Sequence, residues 1–226
     1  MVSILAIIPA RGGSKGVVRK NIRMFAGKPL IAWTIKEAKK SKYITRTILS
    51  SEDPEIIDIA KQHGCDVPFV RPLELAQDDT PGIAPVLHAI EQCPGYDYVV
   101  LLQPTSPLRK IEDIDGCIEY ILEQQANYCV SVSESEKSPY WMYTVNHGNM
   151  KPLFEQSHVI ERRQDLPDVY ALNGAIYVAK VDALLKERSF LTSETKAYIM
   201  SKERSLDIDT EMDFFLCEQI FNKYYF

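Results

Sequence analysis

Apolar residues occur along the chain in short continuous runs, separated by longer segments in which they recur at helical spacing. A continuous apolar run bounded by turn residues is typical of a strand buried on both faces of a parallel sheet. The runs predict strands over 4–8, 45–49, 67–70, 98–102, 128–132 and 174–178. The helical spacing predicts helices over 30–40, from 53–55 to just before Gly64, and over 83–92, 112–125 and 210–222.

Strands and helices alternate from the N-terminus to residue 132. This order predicts an α/β fold with a mostly parallel, doubly wound sheet and helices on its faces. Pro29 stands at the expected first position of the first helix. Thr210 is expected to cap the last helix, with Asp213 three residues later in a variant of the capping box.

Residues 137–168 interrupt the alternation. They hold Ser-Pro, His-Gly-Asn and Leu-Pro breaks and few long periodic segments. We expect an excursion from the sheet here, hairpin-like in form, that covers either a site or a subunit partner. The chain is then a single domain, 1–226, with this excursion at about 137–168.

Composition narrows the class of protein. With 46% hydrophobic and 25% charged residues, the 226-residue chain has an ordinary globular mixture, which excludes a disordered or fibrous protein. Its 26 basic and 31 acidic residues give a net charge of −5, and a general nucleic-acid binder is usually basic. An anionic ligand must therefore be held by a local basic site.

The five cysteines are scattered and form no C-x-x-C pair, and the four histidines show no ligand spacing. This pattern argues against a disulfide framework or a zinc site and favours reduced thiols in a cytoplasmic protein. The apolar N-terminus lacks a basic flank, is interrupted by Pro9 and is too short to span a bilayer. We therefore expect a buried first strand and no membrane partner.

The first candidate site is the segment Ala10-Arg11-Gly12-Gly13-Ser14-Lys15-Gly16, followed by Arg19-Lys20-Asn21. It directly follows the first predicted strand, where open α/β sheets collect their ligands. Glycines allow backbone N–H groups to approach phosphate oxygens, and four cations would neutralise them, which indicates a triphosphate or pyrophosphate site. The segment is neither a Walker loop nor a dinucleotide fingerprint. The alternative is a solvated basic loop.

The second candidate is Asp207-Ile208-Asp209-Thr210-Glu211. Alternate residues of an extended segment point the same way, so Asp207 and Asp209 could present two carboxylates to a hard cation such as Mg²⁺. The alternative is that these residues only cap the last helix.

Three further segments are candidates for a site. Two of them lie where a strand begins or ends, and the third carries paired cations. Gln103 and its neighbours end a buried strand and could contact a base or sugar, or form a proline-fixed turn. Arg162 and Arg163 could clamp a carboxylate or be a solvated surface pair. Residues 173–177 form a turn that enters a strand.

Together these motifs resemble the acylneuraminate cytidylyltransferase (CMP-sialic acid synthetase) family. The matching stretches are collinear and span essentially the whole chain. They are Ile8-Pro9-Ala10-Arg11-Gly12-Gly13-Ser14-Lys15-Gly16, Lys20-Asn21, Gly27-Lys28-Pro29-Leu30, Arg71-Pro72, Glu74-Leu75-Ala76, Leu102-Gln103-Pro104-Thr105-Ser106-Pro107-Leu108-Arg109, Asn173-Gly174-Ala175-Ile176-Tyr177 and Asp207-Ile208-Asp209-Thr210-Glu211.

The resemblance implies a Rossmann-like domain of the nucleotide-diphospho-sugar transferase type, with a small projecting dimerisation element, and a homodimer. It implies a nucleotidyltransferase that joins CTP, with Mg²⁺, to a nine-carbon 2-keto sugar acid and releases pyrophosphate. Arg11, Lys20 and Asp209 are then catalytic, and Asp207 and Asp209 hold the metal, with Asp209 its direct ligand. The implied nucleotide-binding residues are Arg11, Gly12, Ser14, Lys15, Lys20, Asn21, Arg71 and Gln103. The implied sugar-binding residues are Gln103, Arg163, Tyr177 and Phe190.

Two departures from the family pattern fall on the sugar side. Residues 140–142 follow Pro139 where we expect a lysine in enzymes acting on sialate, and Ala171 replaces an arginine that some members carry. A relative acting on legionaminate or pseudaminate is therefore an alternative to one acting on N-acetylneuraminate.

Three more distant alternatives fit less well. A metal-dependent glycosyltransferase would not need the basic loop after the first strand, and its Asp-x-Asp would usually lie mid-chain. In a deoxy-octulosonate cytidylyltransferase we expect an arginine and a Leu-Pro where this chain has residues 15–18. A nucleotide-sensing module without turnover would not need to keep Arg11, Lys20, Asp207 and Asp209 together.

Overall fold

The computed structural model describes residues 2–154 and 162–224. The first half of the chain forms, in order, β1 (Ile4–Pro9), β2 (Met24–Phe25), β3 (Lys28–Pro29), α1 (Leu30–Ala38), β4 (Arg46–Ser50), α2 (Pro54–Gln62), α3 (Ala84–Gln92) and β5 (Tyr98–Leu102). The second half forms α4 (Ile111–Glu123), β6 (Tyr128–Glu134), β7 (Tyr143–Asn146), β8 (Asn149–Pro152), β9 (Tyr170–Lys180), α5 (Val181–Glu187), β10 (Lys196–Ile199) and α6 (Glu211–Tyr224).

A six-stranded sheet in the order β10-β6-β9-β5-β1-β4 forms the centre of the molecule. β1 pairs in parallel with β4 and β5, and β10 pairs in parallel with β6. β9 is the exception, since it lies between β5 and β6 and is antiparallel to both. The predicted α/β class with a mostly parallel sheet is confirmed.

Side chains from the two faces of the sheet enter separate cores, which explains why the strands are apolar without alternation. Ile4, Ala6 and Ile8 of β1 pack with α1, α2 and α4 on one face. Leu5 and Ile7 pack with α3 on the other. A third apolar cluster joins α6 to the segment after the basic loop and to α1. This third cluster fixes the position of the segment that precedes α6.

Helix starts follow their local sequence signals. The Asp53 side chain accepts a hydrogen bond from the Ile56 N–H and caps α2, which ends before Gly64, whose φ is 76°. At the start of α6, the Thr210 N–H donates to Asp213 Oδ2 at 2.7 Å, and the Asp213 N–H donates to Thr210 Oγ1 at 3.3 Å. The predicted capping of the last helix is therefore confirmed.

The predicted strand over 67–70 is wrong. Just before this range the chain makes an isolated parallel bridge between Ile48 and Asp66, and residues 67–70 form no strand. Pro68 has no N–H to donate to a ladder, and Val70 is exposed. Four short elements, β2, β3, α5 and β10, were not predicted, because none has a long enough periodic segment.

Residues 137–168 contain a two-stranded hairpin of β7 and β8 that projects from the sheet. His147 and Gly148 at its turn both have positive φ, 47° and 81°, as a tight hairpin turn requires. All residues of both strands are exposed. Residues 155–161, in the same excursion, lie outside the described part of the chain.

Candidate active site

A cleft of about 460 Å³ lies at the carboxyl ends of β1 and β5. This is where a parallel sheet opens to accept ligands. It brings together predicted residues that are far apart in the sequence, namely Arg11, Ser14, Lys15, Lys20, Asn21, Arg71, Gln103, Asp207 and Asp209. Its wall also includes Leu75 of the motif Glu74-Leu75-Ala76, and residues that the motifs did not single out, namely Gln77, Asp78, Thr80, Gly82 and Pro85.

The rim of the cleft carries two cations that share one carboxylate. Arg11 Nη1 lies 3.0 Å from Asp78 Oδ1, and Lys15 Nζ lies 2.5 Å from Asp78 Oδ2. Hydrogen bonding to Lys15, supported by the charges of Lys15 and Arg11, lowers the pKa of Asp78. Asp78 therefore stays ionised and joins the basic loop to the segment after the turn Leu73–Ala76.

A second carboxylate, that of Glu52, also holds the basic loop. Gly12 N–H donates to Glu52 Oε1 at 2.7 Å, and Arg71 Nη2 donates to Glu52 Oε2 at 2.5 Å. The Arg71 and Glu52 side chains are only 3% and 11% exposed, so this pair is part of the cleft floor. Glu52 lies two residues after the end of β4, and its position after a strand is the one signal that could have marked it in the sequence.

Arg19, the third cation of the basic segment, does not line the cleft. Its φ is 53°, and its guanidinium turns toward α2, where it pairs with Asp53 and Glu55. These contacts, led by the hydrogen bond with Asp53, raise the pKa of Arg19. The prediction that four cations of this segment gather at the phosphates is therefore wrong for Arg19, because a nearby helix start supplies a stronger partner.

Lys20 connects the basic loop with the Asp-x-Asp segment. Its Nζ donates to the Ile208 carbonyl and lies 3.3 Å from Asp209 Oδ1. Asn21 is buried and uses its amide to donate to the Arg11 carbonyl at 2.9 Å, so it shapes the loop. Lys20 therefore holds the basic wall against the acidic wall of the cleft, and Asn21 holds the basic loop in shape.

The segment before α6 is extended, as predicted, and its side chains alternate. Ile208 is buried in the third apolar cluster and donates its N–H to the Thr105 carbonyl at 2.9 Å. Asp207 and Asp209, on either side of it, both line the cleft. A Cβ on Gly16 would lie 2.0 Å from the Asp209 carbonyl oxygen, so only glycine permits the basic loop to pack this closely.

The donor set at this wall fits a magnesium ion. Asp207 Oδ1 is buried without a hydrogen-bond partner, and burial raises the pKa of Asp207. Asp209 is 77% exposed to the cleft. Within the described residues, no group of three or more His, Cys, Asp or Glu side chains could hold a metal by itself. Two carboxylates completed by phosphate oxygens and water are a usual arrangement for Mg²⁺.

A fully buried guanidinium lies behind Gln103. Arg109 donates to the carbonyls of Gln103 and Ala175, at 3.1 and 2.6 Å, and to Thr34 Oγ1 at 2.9 Å. Burial lowers its pKa to about 10. Arg109 therefore ties the end of β5, which carries Gln103, to β9 and α1.

The residues predicted to bind the sugar do not all line the cleft. Tyr177 lies on β9 opposite Leu101, which lines the cleft, and burial followed by the charge of Asp207 raises the pKa of Tyr177. Phe190 is buried, and its ring centroid is 5.4 Å from that of Tyr177. Arg163 begins a short 3₁₀ turn, but its side chain lies outside the described residues, so its role stays a prediction.

The cleft combines a basic glycine-rich loop, a strand-end glutamine and two metal-suited carboxylates. The sequence profile of the family described as "Cytidylyltransferase" matches residues 5–220. The chain belongs to the cytidylyltransferase family. Its class, a nucleotidyltransferase, is thereby confirmed, as is the resemblance recognised from the motifs.

Curated cytidylyltransferases similar to this chain carry different sugar names. The chain is 38% identical to a CMP-N,N'-diacetyllegionaminic acid synthase of Legionella pneumophila, over 96% of this chain and 95% of that protein. It is 36% identical to a pseudaminic acid cytidylyltransferase of Campylobacter jejuni, over 92% of each. It is also 38% identical to an N-acylneuraminate cytidylyltransferase of Streptococcus agalactiae, over 93% of this chain but 51% of that longer protein.

The fold of the cytidylyltransferase family is seen in solved structures as well. The chain superposes with a TM-score of 0.75 on a CMP:2-keto-3-deoxy-manno-octonic acid synthetase complexed with CTP, covering 98% of this chain and 99% of that one. At 14% identity this likeness shows the fold alone. None of the helices in 2–154 and 162–224 combines the length and apolar character needed to cross a bilayer.

Proposed function

We propose that the chain transfers CMP from CTP to the anomeric 2-hydroxyl of a nine-carbon 2-keto sugar acid, giving the CMP-sugar and pyrophosphate. The observation that carries this proposal is the meeting of a basic glycine-rich loop and two carboxylates across one cleft. Cations on one wall suit a triphosphate, and carboxylates on the other suit a divalent cation that binds the same phosphates.

The reaction is an in-line displacement at the α-phosphorus. The sugar 2-hydroxyl oxygen forms a bond to that phosphorus and loses its proton, and the bond to the bridging oxygen breaks. Pyrophosphate leaves with the electron pair of that bond. A neutral hydroxyl is a poor nucleophile toward a polyanion, so the site must neutralise the phosphates and align the attacking oxygen.

The charged residues of the cleft meet these needs from two sides. We assign the phosphates to Arg11 and Lys15 of the loop rim, and Lys20 lies between the loop and Asp209. When bound, Mg²⁺ would be held by Asp207 and Asp209 and would supply positive charge at the phosphate oxygens. The fixed position of Lys20 reduces the reorganisation needed in the transition state.

The sugar is proposed to be N-acetylneuraminate or a close relative, with legionaminate and pseudaminate as the alternatives. Gln103 directly follows β5 and lines the cleft, and Tyr177 lies on the neighbouring strand opposite Leu101, which also lines it. We therefore assign the sugar to this end of the cleft. The names of the relatives support a nonulosonic acid, and they divide among these three sugars.

We also propose that the chain acts as a cytoplasmic homodimer. Support comes from the exposed apolar side chains of the projecting hairpin and its flanks, a patch of the kind that marks protein interfaces. These side chains are Trp141, Met142, Tyr143, Val145, Met150, Leu153, Tyr170 and Leu172.

The test is a pyrophosphate-release assay with CTP, Mg²⁺ and a panel of the three nonulosonic acids. Release that depends on one of these sugars, with formation of the CMP-sugar, is the expected result. Asp209→Asn should lower kcat by at least ~100-fold, about 2.7 kcal/mol, because it removes a charge at the phosphates.

The control for this variant is Asp213→Asn. Asp213 does not line the cleft, and its carboxylate accepts from the N–H groups of Thr210 and Asp209 at 2.7 and 3.2 Å. Asparagine keeps an oxygen acceptor there, so the variant should lose some stability but keep kcat. No pyrophosphate release with any sugar would contradict the proposal and would favour a glycosyltransferase or a nucleotide sensor.

A further inference from the structure

One carboxylate occupies the position between the two cations of the loop rim. Asp78 uses one oxygen for Arg11 and the other for Lys15, at 3.0 and 2.5 Å. Arg11 Nη1 also donates to the neighbouring Gln77 carbonyl at 3.2 Å. A phosphate group would bridge the two cations in the same way, because it too presents several oxygens on one anionic centre.

The contacts of Asp78 with Arg11 and Lys15 are built differently from the buried Arg71–Glu52 ion pair. The side chains of Arg11, Lys15 and Asp78 are 37%, 78% and 50% exposed. Exposed pairs of this kind contribute little to stability, so they can be exchanged without disturbing the fold. The Arg71–Glu52 pair, at 3% and 11% exposure, is instead part of the floor.

The segment that carries Asp78 has its own anchors outside the ion pair. Thr80 Oγ1 donates to the Glu74 carbonyl at 2.9 Å, and Gln77 Nε2 donates to the Leu73 carbonyl at 2.9 Å. These bonds tie the segment to the turn Leu73–Ala76 rather than to the basic loop. The Asp78 side chain can therefore leave the cations while its segment keeps its attachment.

We propose that Asp78 is an intramolecular competitor for the phosphates of the nucleotide. It holds Arg11 and Lys15 in the free enzyme, and it must release them when a triphosphate or pyrophosphate binds. This inference rests on the proposed function, which assigns Arg11 and Lys15 to the phosphates. Asp78 thereby sets the affinity of the cleft for polyphosphate and limits retention of the product pyrophosphate.

Competition by Asp78 makes the affinity of the cleft for a ligand depend on the charge of that ligand. A ligand without phosphates, such as cytidine, leaves the Asp78 contacts in place and gains nothing from their removal. A ligand with several negative charges must displace the carboxylate and is weakened by its presence. The affinity for pyrophosphate and CTP should therefore respond to Asp78, and the affinity for cytidine should not.

The chain offers a matched control for the experiment in the adjacent Asp79, which is also exposed. Asp78→Asn and Asp79→Asn remove the same charge from the same segment, but only the first removes the contact. Titration calorimetry should measure inorganic pyrophosphate, CTP and cytidine against both variants and wild type, with and without Mg²⁺. Asp78→Asn should bind pyrophosphate and CTP roughly 3–10-fold more tightly than Asp79→Asn, with cytidine unchanged.

The outcomes that overturn the inference differ from those that overturn the proposed function. If wild type releases pyrophosphate with a sugar but Asp78→Asn binds no more tightly than Asp79→Asn, only the inference fails. Weaker binding by Asp78→Asn in the presence of Mg²⁺ would instead make Asp78 a ligand of the metal. If wild type binds neither CTP nor pyrophosphate, the proposed function fails and the inference fails with it. Asp78→Ala, checked by its melting curve, repeats the test with the carboxylate removed entirely.

Discussion

Arg11 and Arg19 belong to one basic segment, but they contact different parts of the molecule. Arg11 lies at the cleft rim, and Arg19 binds the start of α2 through Asp53 and Glu55. The hydrogen bond from Arg19 lowers the pKa of Asp53. Arg19 is therefore a structural residue, and Arg11 is available to a ligand.

Substitution by glutamine should separate these two roles. Arg19→Gln should lower the free energy of unfolding by about 1 kcal/mol at pH 7 and leave the KM for CTP unchanged. Because the folded pKa of Asp53 is depressed, the stabilisation is present above its unfolded pKa and is lost as pH falls through the folded value. The difference from wild type should thus shrink below about pH 4, as urea unfolding at several pH values would measure.

The matched variant, Arg11→Gln, should show the opposite behaviour. Its melting temperature should stay near that of wild type, because the side chain is partly exposed at the rim, while the KM for CTP rises. A rise in KM for Arg19→Gln would contradict the placement of this side chain away from the phosphates.

Residues that the motifs could not identify act through contacts distant in sequence. Glu52 and Asp78 are ordinary acidic residues in their own segments, and only the fold brings them to Gly12, Arg11 and Lys15. The cleft residues on motifs were predictable, because glycine, cations and paired carboxylates next to strands have few other uses. The partner of each cation was not predictable from the sequence, because it depends on how two loops pack against each other.

At the scale of elements, the basic loop packs closely against the segment that precedes α6. Gly16 lies against the Asp209 carbonyl, and Lys20 donates to the carbonyl of Ile208. Gly13, in the same loop, has open space around its Cβ position. Of these two loop glycines, Gly16 is therefore fixed by packing against backbone and Gly13 is not.

Alanine substitution should distinguish the two glycines. Gly16→Ala should force the loop away from Asp209, lower the melting temperature by several degrees and reduce kcat/KM at least ~10-fold. Gly13→Ala should behave almost like wild type in both measurements. Equal losses in the two variants would mean that loop flexibility, and not the contact with Asp209, determines activity.

The elements themselves were predicted where buried strands and capped helices left clear patterns. The range 98–102 was predicted with the bounds that the structure gives to β5, because both of its faces are covered. The strand over 67–70 failed because Pro68 cannot complete a ladder, and α5 and β10 were missed because short half-exposed elements carry little periodicity. The antiparallel insertion of β9 depends on long-range pairing, which an apolar run does not encode.

At the scale of the whole molecule, the hairpin of β7 and β8 exposes apolar side chains that a partner subunit would bury. Val145 and Met150 face each other in its ladder, and both are exposed. If the proposed homodimer forms through this hairpin, a charge at Val145 should disrupt it, because burying an unpaired carboxylate is costly.

Light scattering with size-exclusion chromatography would test this interface. Val145→Asp should convert a dimer of wild type to a monomer at micromolar concentration. Val70→Asp is the control, since Val70 is equally exposed but lies outside the hairpin. A dimer that survives Val145→Asp, or a wild-type monomer, would contradict the assignment.

The antiparallel position of β9 also has a consequence for biosynthesis. β5 and β6 do not pair with each other, and each pairs with β9 between them. A nascent chain that has emerged only to residue 154 therefore holds β4-β1-β5 as one sheet fragment and β6 as an unpaired strand. Since contacts between distant segments form late, the cleft wall at β5 is completed only after residues 170–180 leave the ribosome.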